Sequence, residues 1–151
     1  MVVGKSDLKD MMEKHDLRPS KSLGQNFVVD PNTILKIIRA ANIEKGEQIL
    51  EIGPGLGSLT SQLSATSKVV AIELDRYLVP ALEEVLDHFG KRENVEIVQE
   101  DAMKIDWQEF FAQRQGVWKM VANLPYNIAT PLLVTLLENA PEIQALSLIH
   151  I

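Results

Sequence analysis

Gln48-Ile-Leu-Glu-Ile-Gly-Pro-Gly-Leu-Gly57 runs from a strand-like segment straight into glycines spaced Gly-x-Gly-x-Gly. Gln48–Ile52 reads as a short strand, and the glycines as the turn that follows it. Glycine lets a backbone turn tightly and approach a ligand closely, because no Cβ stands in the way. Ser58 fills the last glycine position of the dinucleotide fingerprint Gly-x-Gly-x-x-Gly, and a helix opening there offers N–H donors. Taken alone, the run is a weak signal, with a tight Gly/Pro turn as its alternative.

The flanking sequence decides in favour of the first reading. Residues 58–66 read as a helix. Lys68–Leu74 contains Val69-Val-Ala-Ile72, a buried strand. Leu78, Ala81, Leu82, Val85, Leu86 and Phe89 recur at helical spacing over 76–89, with Pro80 demanding either a kink or a start near Val79. Val95–Val98 is a third strand, 106–115 a helix, Val117–Ala122 a fourth strand, Pro131–Asn139 a helix, and 144–149 opens a fifth strand. Strands alternating with helices from residue 48 onward define a parallel sheet with crossover helices. Upstream, 1–16 reads as a short amphipathic helix capped by Ser6, with Leu8, Met11, Met12 and His15 on one side. Residues 17–29 read as a loop. A further helix follows, capped by Asp30 with Pro31 at its first position.

Ligands of parallel sheets bind at the carboxyl ends of the strands, near the point where strand order reverses. Chemistry-bearing residues stand at those ends. Glu73 closes the second strand, 20 residues after Gly53, where a carboxylate accepts both hydroxyls of a ribose. Asp101 follows the third strand; it can accept from an adenine amine, with the N–H of Ala102 beside the ring edge, and it can equally cap a helix over 102–105. Asn123-Leu124-Pro125-Tyr126 follows the fourth. Its acceptors are the Asn123 amide oxygen and the carbonyl of Leu124 or Pro125, and together they can hold the hydrogens of a planar amine. Tyr126 can stack on a base taken out of its own stack. Gln25-Asn26-Phe27, with Arg18 and Lys21, can fold over a cofactor as a lid or simply tether a polar loop by Phe27.

Composition narrows the classes. The 151 residues are 46% hydrophobic and 24% charged, as in an ordinary globular domain. With no Cys, disulfides, thiolate metal sites and a Cys nucleophile are excluded. His15, His88 and His150 share no ligand spacing, so no metal is expected. Trp107 and Trp118 read as core, and Glu83-Glu84 with Asp87 as a solvated helix face. No apolar run is long enough for a membrane span. Residues 1–45 carry 8 basic and 6 acidic groups, net +2, whereas 46–151 carry 7 and 15, net −8. The body therefore repels nucleic acid at long range.

Ser22-Leu-Gly-Gln-Asn-Phe27, Glu51-Ile-Gly-Pro-Gly-Leu-Gly57, Ile72-Glu-Leu-Asp75, Asp101-Ala102 and Asn123-Leu-Pro-Tyr-Asn-Ile128 together resemble the ribosomal RNA adenine N6,N6-dimethyltransferases, most nearly the bacterial small-subunit type. The resemblance runs from about Leu17 to about Leu146. It implies an α/β, Rossmann-like S-adenosylmethionine-dependent methyltransferase fold, here an incomplete parallel sheet with flanking helices. It implies S-adenosyl-L-methionine as cofactor, with contacts on Asn26, Val28, Gly53, Glu73, Asp101 and Asn123. It implies a catalytic motif formed by Asn123, Leu124, Pro125 and Tyr126. The implied reaction dimethylates two adjacent adenines near the 3′ end of small-subunit rRNA, in a cytoplasmic pre-ribosomal particle. Glu100 stands where the family usually has Gly, and Val28 where Leu is common. Residues 1–29 are expected to form an arm and lid loop, and 30–151 the cofactor-binding and catalytic domain. The family's sheet has seven strands followed by a helical domain, so the natural protein is expected to be longer. Leu146-Ser-Leu-Ile-His-Ile151 also resembles the translation of a sequencing-library adapter, a genuine apolar strand being the alternative. The rival functions are methylation of a large-subunit rRNA adenine, a DNA adenine or a glutamine side chain, and a cofactor- or RNA-binding assembly module without turnover.

Overall fold

The computed structural model describes residues 2–18, 30–124 and 126–148. Five strands form one parallel sheet: β1 (Gln48–Ile52), β2 (Lys68–Glu73), β3 (Val95–Gln99), β4 (Trp118–Ala122) and β5 (Ile143–Leu148), in the order β3-β2-β1-β4-β5. The chain steps outward from β1 to β2 to β3 and then returns across the sheet to β4. Right-handed crossovers made in opposite directions put their helices on opposite faces. α3 (Ser58–Ser64) and α4 (Val79–Phe89) cover one face, joined by α2 (Pro31–Ala40). α5 (Trp107–Ala112) and α6 (Tyr126–Asn139) cover the other.

The strand pleat sorts side chains between these layers. Ile49, Val69, Ala71 and Val121 pack with Ile34, Leu59, Leu63, Leu82 and Leu86. Leu50, Ile52, Val70, Ile72, Met120 and Ala122 pack with Trp107, Phe110, Phe111, Leu132 and Leu136. Trp107 and Trp118 are core residues, as expected, and sit in a chain of ring contacts through Phe111 at 5.8–6.0 Å. A third cluster docks α1 (Lys5–Lys14) on α4 through Val3, Leu8, Leu78, Ala81 and Val85.

Several local expectations need correction. Ser6 does not cap α1; Gly4 does, and the Asp7 carboxylate accepts from its N–H at 2.8 Å. α4 starts at Val79, the second of the two expected outcomes and not a kink, so Pro80 lies in the first turn, where its missing N–H costs nothing. α6 begins at Tyr126, ahead of the expected Pro131, which therefore sits inside the helix. Glu84 is not simply solvated: it accepts from Lys14 and lies 2.6 Å from His15, and both contacts lower its pKa. Asp30 does cap α2, accepting from Asn32 N at 3.0 Å.

Candidate active site

Strand order reverses at β1, which lies between β2 and β4. The turn after β1 stays close to its neighbours. Gly53 N donates to Ile72 O of β2 at 3.0 Å, and Asn123 N donates to Ile52 O at 3.0 Å. Gly53 has φ +77°, and a Cβ there would stand 2.7 Å from the Asn123 carbonyl oxygen. Only glycine permits that approach. Gly57, with φ +87°, is a second case, since the left-handed backbone strains any other residue and a Cβ would meet Leu82 Cδ1 at 2.6 Å.

Glu73 ends β2 and is 6% exposed. Its Oε1 accepts from Gly55 N at 3.1 Å and its Oε2 from Asp75 N at 2.8 Å. Burial raises its pKa, and the backbone donors of Asp75 and Gly55 oppose the shift. The N–H of Gly55 thus turns inward to Glu73. α3, which follows the glycine loop, is 7 residues long.

Asp101 lies past the end of β3, half-buried. It does cap a turn: Oδ1 accepts from Met103 N at 2.9 Å, at the head of the 3-10 segment Ala102–Lys104. Its second oxygen accepts from nothing among the described residues. Leu74 and Met103, beside the two acids, leave large apolar side chains exposed. Asn123 and Leu124 follow β4, and the Leu124 side chain lies 3.4 Å from where a Gly53 Cβ would be.

The structure therefore brings Gly53, Glu73, Asp101, Asn123 and Leu124 to one edge of the sheet. Asn26, Val28, Pro125 and the Tyr126 ring lie outside the described residues, as does the expected lid. Sequence reading passed over Glu51 and Thr60. Glu51 is 2% exposed, and its Oε1 accepts from Thr60 Oγ1 at 2.5 Å. An acid inside the apolar run Ile49-Leu-Glu-Ile52 was the available signal. Among the described residues no cluster of His, Cys, Asp and Glu could hold a metal, and no helix is long and apolar enough to cross a membrane.

A parallel sheet with this order, a glycine turn at the switch point and an acid at the next strand end define a Rossmann-like, nucleotide-cofactor fold. Residues 17–150 match the model of the family described as ribosomal RNA adenine dimethylase, and the chain belongs to that family. The ribosomal RNA small subunit methyltransferase A of Moorella thermoacetica is 46% identical over 137 residues, 85% of this chain and 46% of the relative. That of Clostridioides difficile is 44% identical over 133 residues, 86% of this chain and 45% of the relative. The chain spans about half the length of the curated relatives it matches. Among solved structures, a dimethyladenosine transferase from Plasmodium falciparum superposes with TM-score 0.67 at 29% identity, over 82% of this chain and 43% of that one. The 23S rRNA methyltransferase ErmE gives 0.64 at 30% identity, over 80% and 46%.

Proposed function

We propose that the chain carries the cofactor-binding and catalytic part of an enzyme that uses S-adenosyl-L-methionine to dimethylate N6 of two adjacent adenines. The substrate in this reading is the 3′-terminal hairpin of small-subunit rRNA, met in a cytoplasmic pre-ribosomal particle during ribosome biogenesis. The observation that carries the reading is the meeting of Gly53 with the Asn123 main chain at the switch point, beside the glycine loop held by Glu73. The small-subunit methyltransferases at 44–46% identity over most of this chain favour the small-subunit substrate.

The chemistry of the donor set fits the cofactor. Gly53 lets the turn after β1 pass against the Asn123 carbonyl, where a Cβ would stand 2.7 Å from its oxygen. Glu73 would hold the ribose hydroxyls and the second oxygen of Asp101 the adenine amine, with the exposed Leu74 and Met103 available to the ring. Asn26 and Val28 complete the contacts from the N-terminal side. When bound, S-adenosylmethionine supplies an electrophilic methyl group.

The chain's own task is to prepare the amine. Adenine N6 is a weak nucleophile because its lone pair is delocalised into the ring. The Asn123 amide oxygen and the carbonyl of Leu124 or Pro125 accept its hydrogens and draw the nitrogen toward a tetrahedral geometry. Tyr126 stacks on the flipped base. No strong base precedes attack, and the proton leaves afterward. Fixing the nucleophile in line is a positioning effect.

Calorimetric titration with S-adenosylmethionine, with circular dichroism on the same sample, tests the cofactor half. One-site binding lost in Glu73→Ala supports it, and no binding by a folded chain refutes it. Asn123→Ala should abolish methyl transfer to unmethylated small-subunit particles while cofactor binding stays measurable. Preferential methylation of large-subunit rRNA in a competition assay would move the assignment to the other branch of the family.

A further inference from the structure

The turn after β1 passes through three glycines of positive φ, Gly53 at +77°, Gly55 at +58° and Gly57 at +87°, so it has little conformational preference of its own. Such a turn is either held in shape from outside or ordered by its ligand, at a cost in affinity. Glu73 holds it through Gly55 N, and within the turn Gly57 N donates to Pro54 O at 2.9 Å. The remaining hold is Leu56, which supplies the only rotatable side chain between Gly53 and Gly57 and is buried.

Leu56 belongs to the third core cluster. There it is grouped with Leu78, Ala81 and Val85 of α4, and with Val3 and Leu8 of the N-terminal arm. Both arm residues are fully enclosed, and Leu8 is the one buried residue of an otherwise polar α1. The arm is fixed at both ends. Gly4 N donates to the Asp7 carboxylate at its start. At its end Asp16 is left-handed (φ +51°), Leu17 N reaches Met12 O at 2.7 Å, and Leu17 folds back onto the same cluster. Lys14 and His15 both meet Glu84 of α4. These two polar ties set where α1 sits along α4, and with it the place of Leu8 in the cluster.

We propose that α1 is a clasp on the glycine turn, with Leu8 as its positioning residue. By enclosing Leu56, the arm keeps the turn in its ligand-ready shape before the cofactor arrives. The inference rests on the S-adenosylmethionine reading of the site. Leu8 touches no ligand and acts through Leu56. Without it the turn samples other shapes, and the ligand must order it on binding. Affinity then falls through the entropy of binding, while Glu73 and Asp101 keep their places at the strand ends.

Amide hydrogen exchange and calorimetric titration of the 151-residue chain separate this role from ordinary core packing. In Leu8→Ala the N–H groups of Gly55 and Gly57 should exchange about tenfold faster, while the amides of β1, β2 and β4 keep their protection. S-adenosylmethionine should bind about tenfold more weakly, with the loss in the entropy of binding, and should restore protection to the turn. Leu8→Met, of similar volume, should recover both properties. Phe111→Ala is the comparison, because it removes core from the opposite face of the sheet. It should lower the thermal midpoint and leave the exchange of the turn and the affinity of the folded chain unchanged. Parent-like affinity in Leu8→Ala, exchange quickened equally in turn and sheet, or an equal loss of affinity in Phe111→Ala would each overturn the inference and leave the cofactor reading standing. Should Leu8→Ala not fold, Glu84→Ala cuts the ties to Lys14 and His15 without opening the core. It should quicken the same two amides and weaken binding about threefold, and unchanged values overturn the inference. A folded parent chain that does not bind S-adenosylmethionine overturns the cofactor reading and this inference with it.

Discussion

At Gly53 the main chain has φ +77° and a carbonyl oxygen where a side chain would begin. Gly53→Ala should therefore cost about 1–3 kcal/mol through backbone strain, and should displace the Asn123 main chain. The expected readout is a lower thermal midpoint together with at least tenfold weaker S-adenosylmethionine binding; a variant that binds normally would separate the close approach from the site. Glu51 governs a different observable. Its ordinary value is 4.5 and burial takes it to about 7, so between those values the folded chain holds a proton that the unfolded chain has lost. Stability from this group is present below pH 4.5 and falls as pH rises through 7. Glu73, also raised, acts in the same direction. The Glu51 contribution is about 3 kcal/mol by the conversion of pK into free energy. Urea unfolding should show a lower midpoint at pH 8.5 than at pH 6, and Glu51→Gln should flatten the difference. A profile flat in the parent chain would mean that water reaches the carboxyl. The apolar run around Glu51 signalled its burial, but its partner was not legible, since Thr60 arrives from the next element. The glycine turn was legible because its cause is local.

Among the elements, strands were the easiest to read. Each is a short apolar run, and a parallel sheet buried on both faces needs nothing subtler. Helix starts were harder. Pro131 looks like a first-turn proline because that is where proline is most at home, but α6 begins at Tyr126. Its start follows the turn after β4, and its buried Ala129, Leu132 and Leu136 must meet the sheet. Packing thus overrides the local preference. Pro131 then deprives the first half of the helix of a donor, and Pro131→Ala should raise stability by up to about 3 kcal/mol, read as a higher urea midpoint at unchanged slope. A lower midpoint would mean that the ring fills space no methyl can. The aromatic chain on α5 predicts the opposite sign: Phe111→Ala removes contacts to Trp107, Phe110 and Trp118 and should cost about 3–5 kcal/mol. The contact of His15 with Glu84 had no trace in the sequence, because only the docking of α1 on α4 brings them together.

For the molecule as a whole, charge and edge matter most. β5 pairs with β4 and with no other strand among the described residues, and Val134 and Leu137 stand exposed on the neighbouring α6. An open edge beside exposed apolar side chains favours self-association. Sedimentation should show concentration-dependent association of this chain, reduced by Leu137→Lys; a monomer at all concentrations would mean that the net charge of −6 keeps copies apart. The strand order also sets a timetable. β1, β2 and β3 are contiguous in the chain, whereas β1 meets its other neighbour only when Trp118–Ala122 is available. Pairings of long sequence separation close late, and a growing chain emerges from its N-terminus. Gly53, Glu73 and Asp101 can thus assemble on a nascent half-sheet before Asn123 has left the ribosome, so during translation the surface proposed to hold a nucleoside would form before the group proposed to act on a base.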